Sequence, residues 1–349
     1  MSDRRAFLRA AGAAFALGAF GVHGQAAPKR VTVGGRRVSV IDVHAHCVFP
    51  EVSRRVPGIN APRVAPPTLV LGPERIAAMD ERGIDIQALS VNTYWWYTAS
   101  RDDARTVVAT HDEGLAAWCK EHPTRFVALS SVALQFPDLA AEQLEHAVKN
   151  LGSRGASIGG HVNNEPPTSE KYDPFWAKAE ELGVPVFMHP NNALNVAREG
   201  ALDGRGGLGN IVGNPLETTV FLSRMIFDGV LDRFPRLTLC AAHGGGYLPS
   251  YLGRSDAACI VRDDANCANK RKPSEYFKDQ VVVDSMVFSS EGLRHLVAET
   301  GVSQVVYGSD IPYFWPDTID IIVEAPFLTS EAKEAILGGN LRRMLRIGG

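Results

Sequence analysis

Ten histidines are spread over the 349 residues, and four of them stand where an imidazole can do chemistry. His44 and His46 form an i, i+2 pair at the end of an apolar run, Val38 to Val43, which reads as a buried strand. Alternate side chains of an extended chain point to the same side, so the two rings can converge on one point. His189 follows the apolar run Val184 to Met188, and His243 follows Arg236 to Ala242. Asp310 follows Ser303 to Tyr307 across Gly308 and Ser309. His44, His46, His189 and Asp310 offer three imidazoles and a carboxylate, the donors of a catalytic divalent metal with a position left open for water or substrate. A metal bound there lowers the pKa of water from about 15.7 toward about 7, or polarises a substrate oxygen. His243 heads the run Gly244-Gly245-Gly246, where glycine lets backbone approach a ligand closely. It is assigned as the general acid/base; the alternative is a fifth ligand or a satisfied core histidine.

These residues need elements that bring them to one place. Apolar strands are expected at Val38 to Val43, Ile84 to Val91, Arg125 to Val132, Gly155 to Gly160, Val184 to Met188, Arg236 to Ala242, Gln280 to Asp284 and Ser303 to Tyr307. Helical segments alternate with them: Pro73 to Gly83, Asp102 to Glu121, Leu139 to Leu151, Asp173 to Leu182, Glu217 to Phe234, Tyr247 to Cys259, Ser290 to Thr300 and Glu331 to Leu345. The pattern predicts a (β/α)₈ barrel, with a doubly wound open sheet as the alternative. No G-x-G-x-x-G follows the first strand, which weakens the dinucleotide version of that sheet. A barrel gathers polar residues from strand C-termini on one face, and His161 and Asp284 occupy such positions too. His23, His111, His122, His146 and His295 read as signal-peptide, helix-surface or loop residues. Two long loops, Cys47 to Gly72 and the glycine-rich Ala193 to Gly213, have the length of functional loops. The aromatic loop Asn92 to Tyr97 is either core or pocket wall.

Hydrophobic residues make up 45% and charged residues 21%, and the net charge is −3. Residues 1–26 hold three arginines against one aspartate, which leaves −5 for the remainder, no basis for binding nucleic acid or an anionic membrane. Arg4-Arg5 before Phe7-Leu8, an apolar stretch from Ala10 to Val22, and small residues at Gly24-Gln25-Ala26 resemble a twin-arginine export signal. The apolar stretch is short for a span. The expected mature chain begins near Ala27, has no membrane anchor, and folds as one domain over 27–349 in the periplasm. The five cysteines, an odd number without C-x-x-C, argue against a complete disulfide framework.

A longer set of pieces then comes into view: Asp42-Val43-His44-Ala45-His46; Glu74-Arg75-Ile76 with Met79-Asp80 and Gly83; Gln87-Ala88-Leu89-Ser90; Gly160-His161-Val162-Asn163; Phe187-Met188-His189-Pro190; Glu217-Thr218-Thr219; Gly229-Val230 with Phe234-Pro235; Ala242-His243 with its glycines; Gly253-Arg254; and Gly308-Ser309-Asp310 with Pro312. In this order they resemble the metal-dependent amidohydrolase superfamily, in the branch of 2-amino-3-carboxymuconate 6-semialdehyde decarboxylase and related aromatic-acid decarboxylases. The resemblance implies a distorted barrel with one divalent metal, zinc first and manganese as alternative, on His44, His46, His189 and Asp310. His243 and Asp310 would be catalytic. Arg254 matches an arginine that reaches a neighbouring subunit's site and binds substrate carboxylate, so a homodimer or larger homo-oligomer follows. His161 and Asn191 are the other expected substrate contacts. The branch's arginine in the loop after the first strand could be Arg54, Arg55 or Arg63, and a bulky tryptophan of that decarboxylase is replaced by Asn191. The implied reaction is non-oxidative decarboxylation of an aromatic or unsaturated carboxylic acid. A hydrolase of an amide, ester or lactone is the rival on the same ligands, and a periplasmic binding protein the rival without catalysis.

Overall fold

The computed structural model describes residues 27–59, 61–62, 65, 67–191, 193, 195–313 and 315–348. The expected export signal, with His23, and Arg63 lie outside the described residues.

A small hairpin, Thr32–Val33 against Arg36–Arg37, precedes eight parallel strands: β1 (Ile41–His46), β2 (Ile86–Ser90), β3 (Phe126–Ala128, resuming at Ser130–Ser131), β4 (Ala156–Ile158), β5 (Val186–Met188), β6 (Leu239–Ala241), β7 (Val281–Asp284) and β8 (Val305–Val306). Each pairs with the next. The expected third strand divides at Leu129: Phe126–Ala128 pairs with β2, and Ser130–Ser131 with β4. The ring closes where Val43 donates to the Tyr307 carbonyl at 3.1 Å and His46 to the Ile311 carbonyl at 2.8 Å. The architecture is the (β/α)₈ barrel, not the open sheet.

The helices that follow the strands are α1 (Pro73–Arg82), α2 (Arg101–Glu121), α3 (Pro137–Asn150), α4 (Asp173–Leu182), α5 (Asn214–Phe227), α6 (Leu252–Val261) and α7 (Ser290–Thr300). Three pieces, Ile319–Glu324, Ser330–Glu334 and Asn340–Met344, follow β8. Start and stop signals set several boundaries. Proline opens α1, and Gly83 closes it in the left-handed conformation that a side chain resists. The long helix expected from Glu217 to Phe234 is broken, because Gly229 takes φ 72° and a separate turn, Val230–Arg233, follows. The expected closing helix is interrupted by a π-helical turn at Ala335–Gly339. A short helix, Glu51–Arg55, sits within the loop read as irregular.

β1 differs from its expected bounds. Its two histidines lie inside the strand, and every residue from Ile41 to His46 is buried. The register against β2 shifts between Asp42 and Ala45. Asp42 explains the irregularity: its carboxylate accepts from the His44 amide at 2.9 Å, from Gln87 Nε2 at 2.9 Å, and from Ser309 N and Oγ at 3.0 and 2.6 Å. One buried side chain thus joins β1, β2 and the loop after β8. Burial raises the pKa of Asp42, and the hydrogen bonds oppose that rise. Arg75, 1% exposed, completes the layer by donating to the carbonyls of His46 and Thr68.

Of the cysteines, Cys47 and Cys240 are core residues and Cys119 is partly buried, whereas Cys259 and Cys267 form a disulfide. The bridge ties the end of α6 to the exposed loop beyond it. By loop-closure entropy, a bridge across eight residues of separation is worth about 2–3 kcal/mol. Replacing both cysteines with serine is expected to lower urea-unfolding stability by that amount, and adding reductant to the unaltered protein to reproduce the loss.

Candidate metal centre

The strand ends bring five side chains together. The ring of His44 lies 5.1 Å from that of His46, 5.0 Å from His189 and 5.2 Å from His243, and the rings of His46 and His189 are 4.6 Å apart. Asp310 stands among them, with Oδ1 2.5 Å from His46 Nε2 and 3.1 Å from His44 Nε2. One donor atom each from His44, His189, His243 and Asp310 fall within 4.8 Å of one another. That set includes His243, expected as the acid/base, and leaves out His46, whose Nε2 is turned to Asp310.

Asp284 organises the cluster from behind. Its Oδ2 accepts from His44 Nδ1 at 2.8 Å, fixing which ring nitrogen faces the centre. Its two oxygens also accept the amides of His243 and Gly244 at 3.0 and 2.8 Å. This carboxylate therefore holds one imidazole by its ring and another by its backbone. His243 needs that support, since its φ is 57°, a left-handed conformation costing on the order of 1–3 kcal/mol. Asp310, with φ 59°, carries the same cost. The scaffold itself requires the glycines after His243. A Cβ at Gly245 would meet Val283 at 2.7 Å, and one at Gly246 would meet the Pro215 carbonyl at 2.2 Å.

The electrostatics suit a cation. Burial works against charge on His44, but Asp310 and Asp284 outweigh it and push its pKa up to about 10. Burial, with the imidazoles around them, lowers His189 well below its ordinary value and His243 to about 4. Burial raises Asp310, but His44 and His46 more than reverse this and hold it well below the usual carboxylate range. Above about pH 6.5, then, His44 alone of these rings keeps an extra proton, which an incoming metal must displace. Apparent metal affinity is expected to rise about tenfold per pH unit between about pH 7 and 9 and to level off as His44 titrates through about 10. Chelator competition at three pH values measures the slope.

The other expected contacts are placed less tightly. His161 is half-buried and accepts the Asn164 amide at 3.1 Å. Asn191 donates its amide to Glu217 Oε2 at 2.9 Å. Arg254 is exposed on α6, and Arg54 pairs with Glu51 on the surface. Arg55 reaches Thr110 Oγ1 at 3.1 Å. Tyr313 was not foreseen, and its ring lies 5.1 Å from that of His46 at the mouth. In the aromatic loop, Tyr94, Trp96 and Tyr97 are core, and Trp95 is half-buried and stacked on Tyr97. His111 is a correction: it is fully buried, not on a helix surface, and joins Tyr94 Oη at 2.7 Å to Ser131 Oγ at 3.2 Å. Burial lowers its pKa to about 3, so it serves as a neutral bridge between α2, the aromatic loop and β3.

A parallel barrel with this cluster at its strand ends defines an amidohydrolase-type protein, and the amidohydrolase family pattern matches residues 41–347. The chain belongs to that family. A relative, 2-amino-3-carboxymuconate-6-semialdehyde decarboxylase of Dictyostelium discoideum, is 32% identical over 276 residues, covering 78% of this chain and 75% of the relative. Gamma-resorcylate decarboxylase of Rhizobium is 29% identical, covering 79% and 87%. Among solved structures, 5-carboxyvanillate decarboxylase from Sphingomonas paucimobilis superposes with a TM-score of 0.80 at 26% identity, covering 89% of this chain and all of that one. A dihydroxybenzoic acid decarboxylase from Polaromonas, which shares the fold at 24% identity and a TM-score of 0.74 over 89% of this chain and 97% of its own, holds manganese. All four proteins are decarboxylases.

Proposed function

We propose that this protein is a metal-dependent, non-oxidative decarboxylase of an aromatic or unsaturated carboxylic acid bearing an oxygen or nitrogen substituent near the carboxylate. The observation that carries the reading is that His44, His189, His243 and Asp310 bring donor atoms together, and that the buried ring nitrogens His189 Nδ1 and His243 Nδ1 have no hydrogen-bond partners. Buried polar atoms without partners are costly, and a cation among them removes that cost. His44, His46, His189 and Asp310 would hold it, zinc being the first choice and manganese the alternative. When bound, the metal supplies a Lewis acid for the substrate's oxygens.

The chain's own groups do the rest. His243, neutral by its surroundings, takes a proton from the substrate hydroxyl or solvent and delivers it to the carbon bearing the carboxylate. Protonation there interrupts conjugation. The carbon–carbon bond then breaks, its electron pair restores the π-system, and carbon dioxide leaves. His161 and Asn191 flank the substrate. Arg254, projecting from the surface, binds carboxylate in a neighbouring subunit by the bidentate geometry of guanidinium, which makes the active form a homodimer or larger assembly. A screen of aromatic and muconate-type acids for carbon dioxide release, starting with 2,6-dihydroxybenzoate, tests the reading. Release of an amine or alcohol from amides or esters, with no carbon dioxide from any acid, would point to the hydrolase.

The Cys259–Cys267 bridge supports export, because disulfides persist in oxidising compartments. With the twin-arginine pattern of residues 1–26, it favours a periplasmic enzyme. Among the described residues no helix is long and apolar enough to cross a membrane. Fractionation that finds the protein only in the cytoplasm, with Cys259 and Cys267 reduced, would overturn this.

A further inference from the structure

Glu217 lies on α5, 1% exposed, and has no part in the chemistry above. Its carboxylate accepts three backbone hydrogen bonds. Oε1 takes the Gly160 amide at 3.2 Å, and Oε2 takes the amides of Asn191 at 2.9 Å and Ala193 at 3.0 Å. These amides belong to two loops. One follows β4 and leads into His161; the other follows β5 and begins just past His189. Burial raises the pKa of Glu217 while the three amides oppose the rise. No basic side chain pairs with it among the described residues. A buried carboxylate is expensive unless fully hydrogen-bonded, and this one is satisfied only when both loops are in place.

Two neighbours fit the same arrangement. Ala193 has φ 58°, an uncommon conformation for a residue with a Cβ, and its amide is one of the three donors. Gly160 has no room for a side chain, because a Cβ would stand 2.7 Å from Glu217 Oε1 and 2.6 Å from Met188 Cε. We infer that Glu217 is a positioning residue that clamps the neighbouring His161 and Asn191 loops at a fixed separation on the barrel mouth. It touches no substrate and acts through the loops. The assignment rests on the reading of His161 and Asn191 as substrate contacts.

Glu217→Gln keeps the side-chain length but turns one acceptor into an NH₂ group facing amide donors. Because Oε1 serves one loop and Oε2 the other, amide exchange should rise about tenfold at Gly160 or at Asn191 and Ala193, according to which oxygen the NH₂ group replaces, the scale of one lost buried hydrogen bond. Metal content and circular dichroism should match the unaltered holoenzyme. KM for 2,6-dihydroxybenzoate should rise about tenfold with kcat within about threefold, as loss of uniform binding requires. Gly160→Ala, which displaces the carboxylate from the opposite side, should give the same pattern if Glu217→Gln folds poorly. Unchanged protection in both loops, or loss of metal matching that of His189→Ala, would each overturn the inference. The exchange measurement needs no turnover, so a protein inert toward aromatic acids would sink the proposed reaction and still leave the clamp decided.

Discussion

The double variant His44→Ala, His46→Ala is expected to hold no divalent metal, where the unaltered protein holds about one zinc or manganese per chain. Both rings are fully buried and both face Asp310 Oδ1, so their loss removes two donors and leaves a cavity that water can enter. Loss of a Lewis acid worth several kcal/mol should cut carbon dioxide release by on the order of 10³–10⁵. The fold should survive, since Asp42 braces β1 through its own hydrogen bonds to Gln87 and Ser309. The Asp310 carboxylate would remain buried without its imidazoles, a cost it escapes by taking a proton as its pKa returns upward. Elemental analysis beside circular dichroism is the measurement. Full metal content in the folded double variant would remove β1 from the site.

His243→Ala should lower kcat by about 10²–10⁴, the range for losing a general acid/base, while keeping its metal. The metal measurement matters because His243 offers a donor atom within 4.8 Å of those of His44, His189 and Asp310. If His243 were a ligand, alanine would empty the site and activity would fall for another reason. Its position favours the catalytic role: it is less buried than His44 and His46, and Asp284 holds its backbone rather than its ring. Elemental analysis and kcat measured on one preparation separate the two roles. Metal lost in step with activity would make His243 the ligand and leave His46 to orient Asp310.

Much of this arrangement is legible in the sequence because it is local. Proline and glycine punctuate α1 and α4, and the end of each apolar run marks the barrel face where chemistry collects. What is not legible depends on partners far along the chain. The hydrogen bond from His44 to Asp284 spans 240 residues, so nothing near Asp284 announces that it orients an imidazole. Arg75 sits on a helix, where a charged residue is ordinarily solvated; it is buried because the carbonyls of His46 and Thr68 receive it. His111 departs from a helix-surface position for the same reason, since Tyr94 and Ser131 close over it. The odd cysteine count hid one local bridge, because a total says nothing about pairing.

The left-handed backbones of His243 and Asp310 bear on how the protein could change. Together they cost on the order of 2–6 kcal/mol against a total stability of about 5–15 kcal/mol for a folded domain. At both positions a glycine would relax the backbone and abolish the chemistry. Selection for heat tolerance alone would therefore push the chain toward a sturdier, inert barrel, and the strained pair persists only where the activity is itself selected.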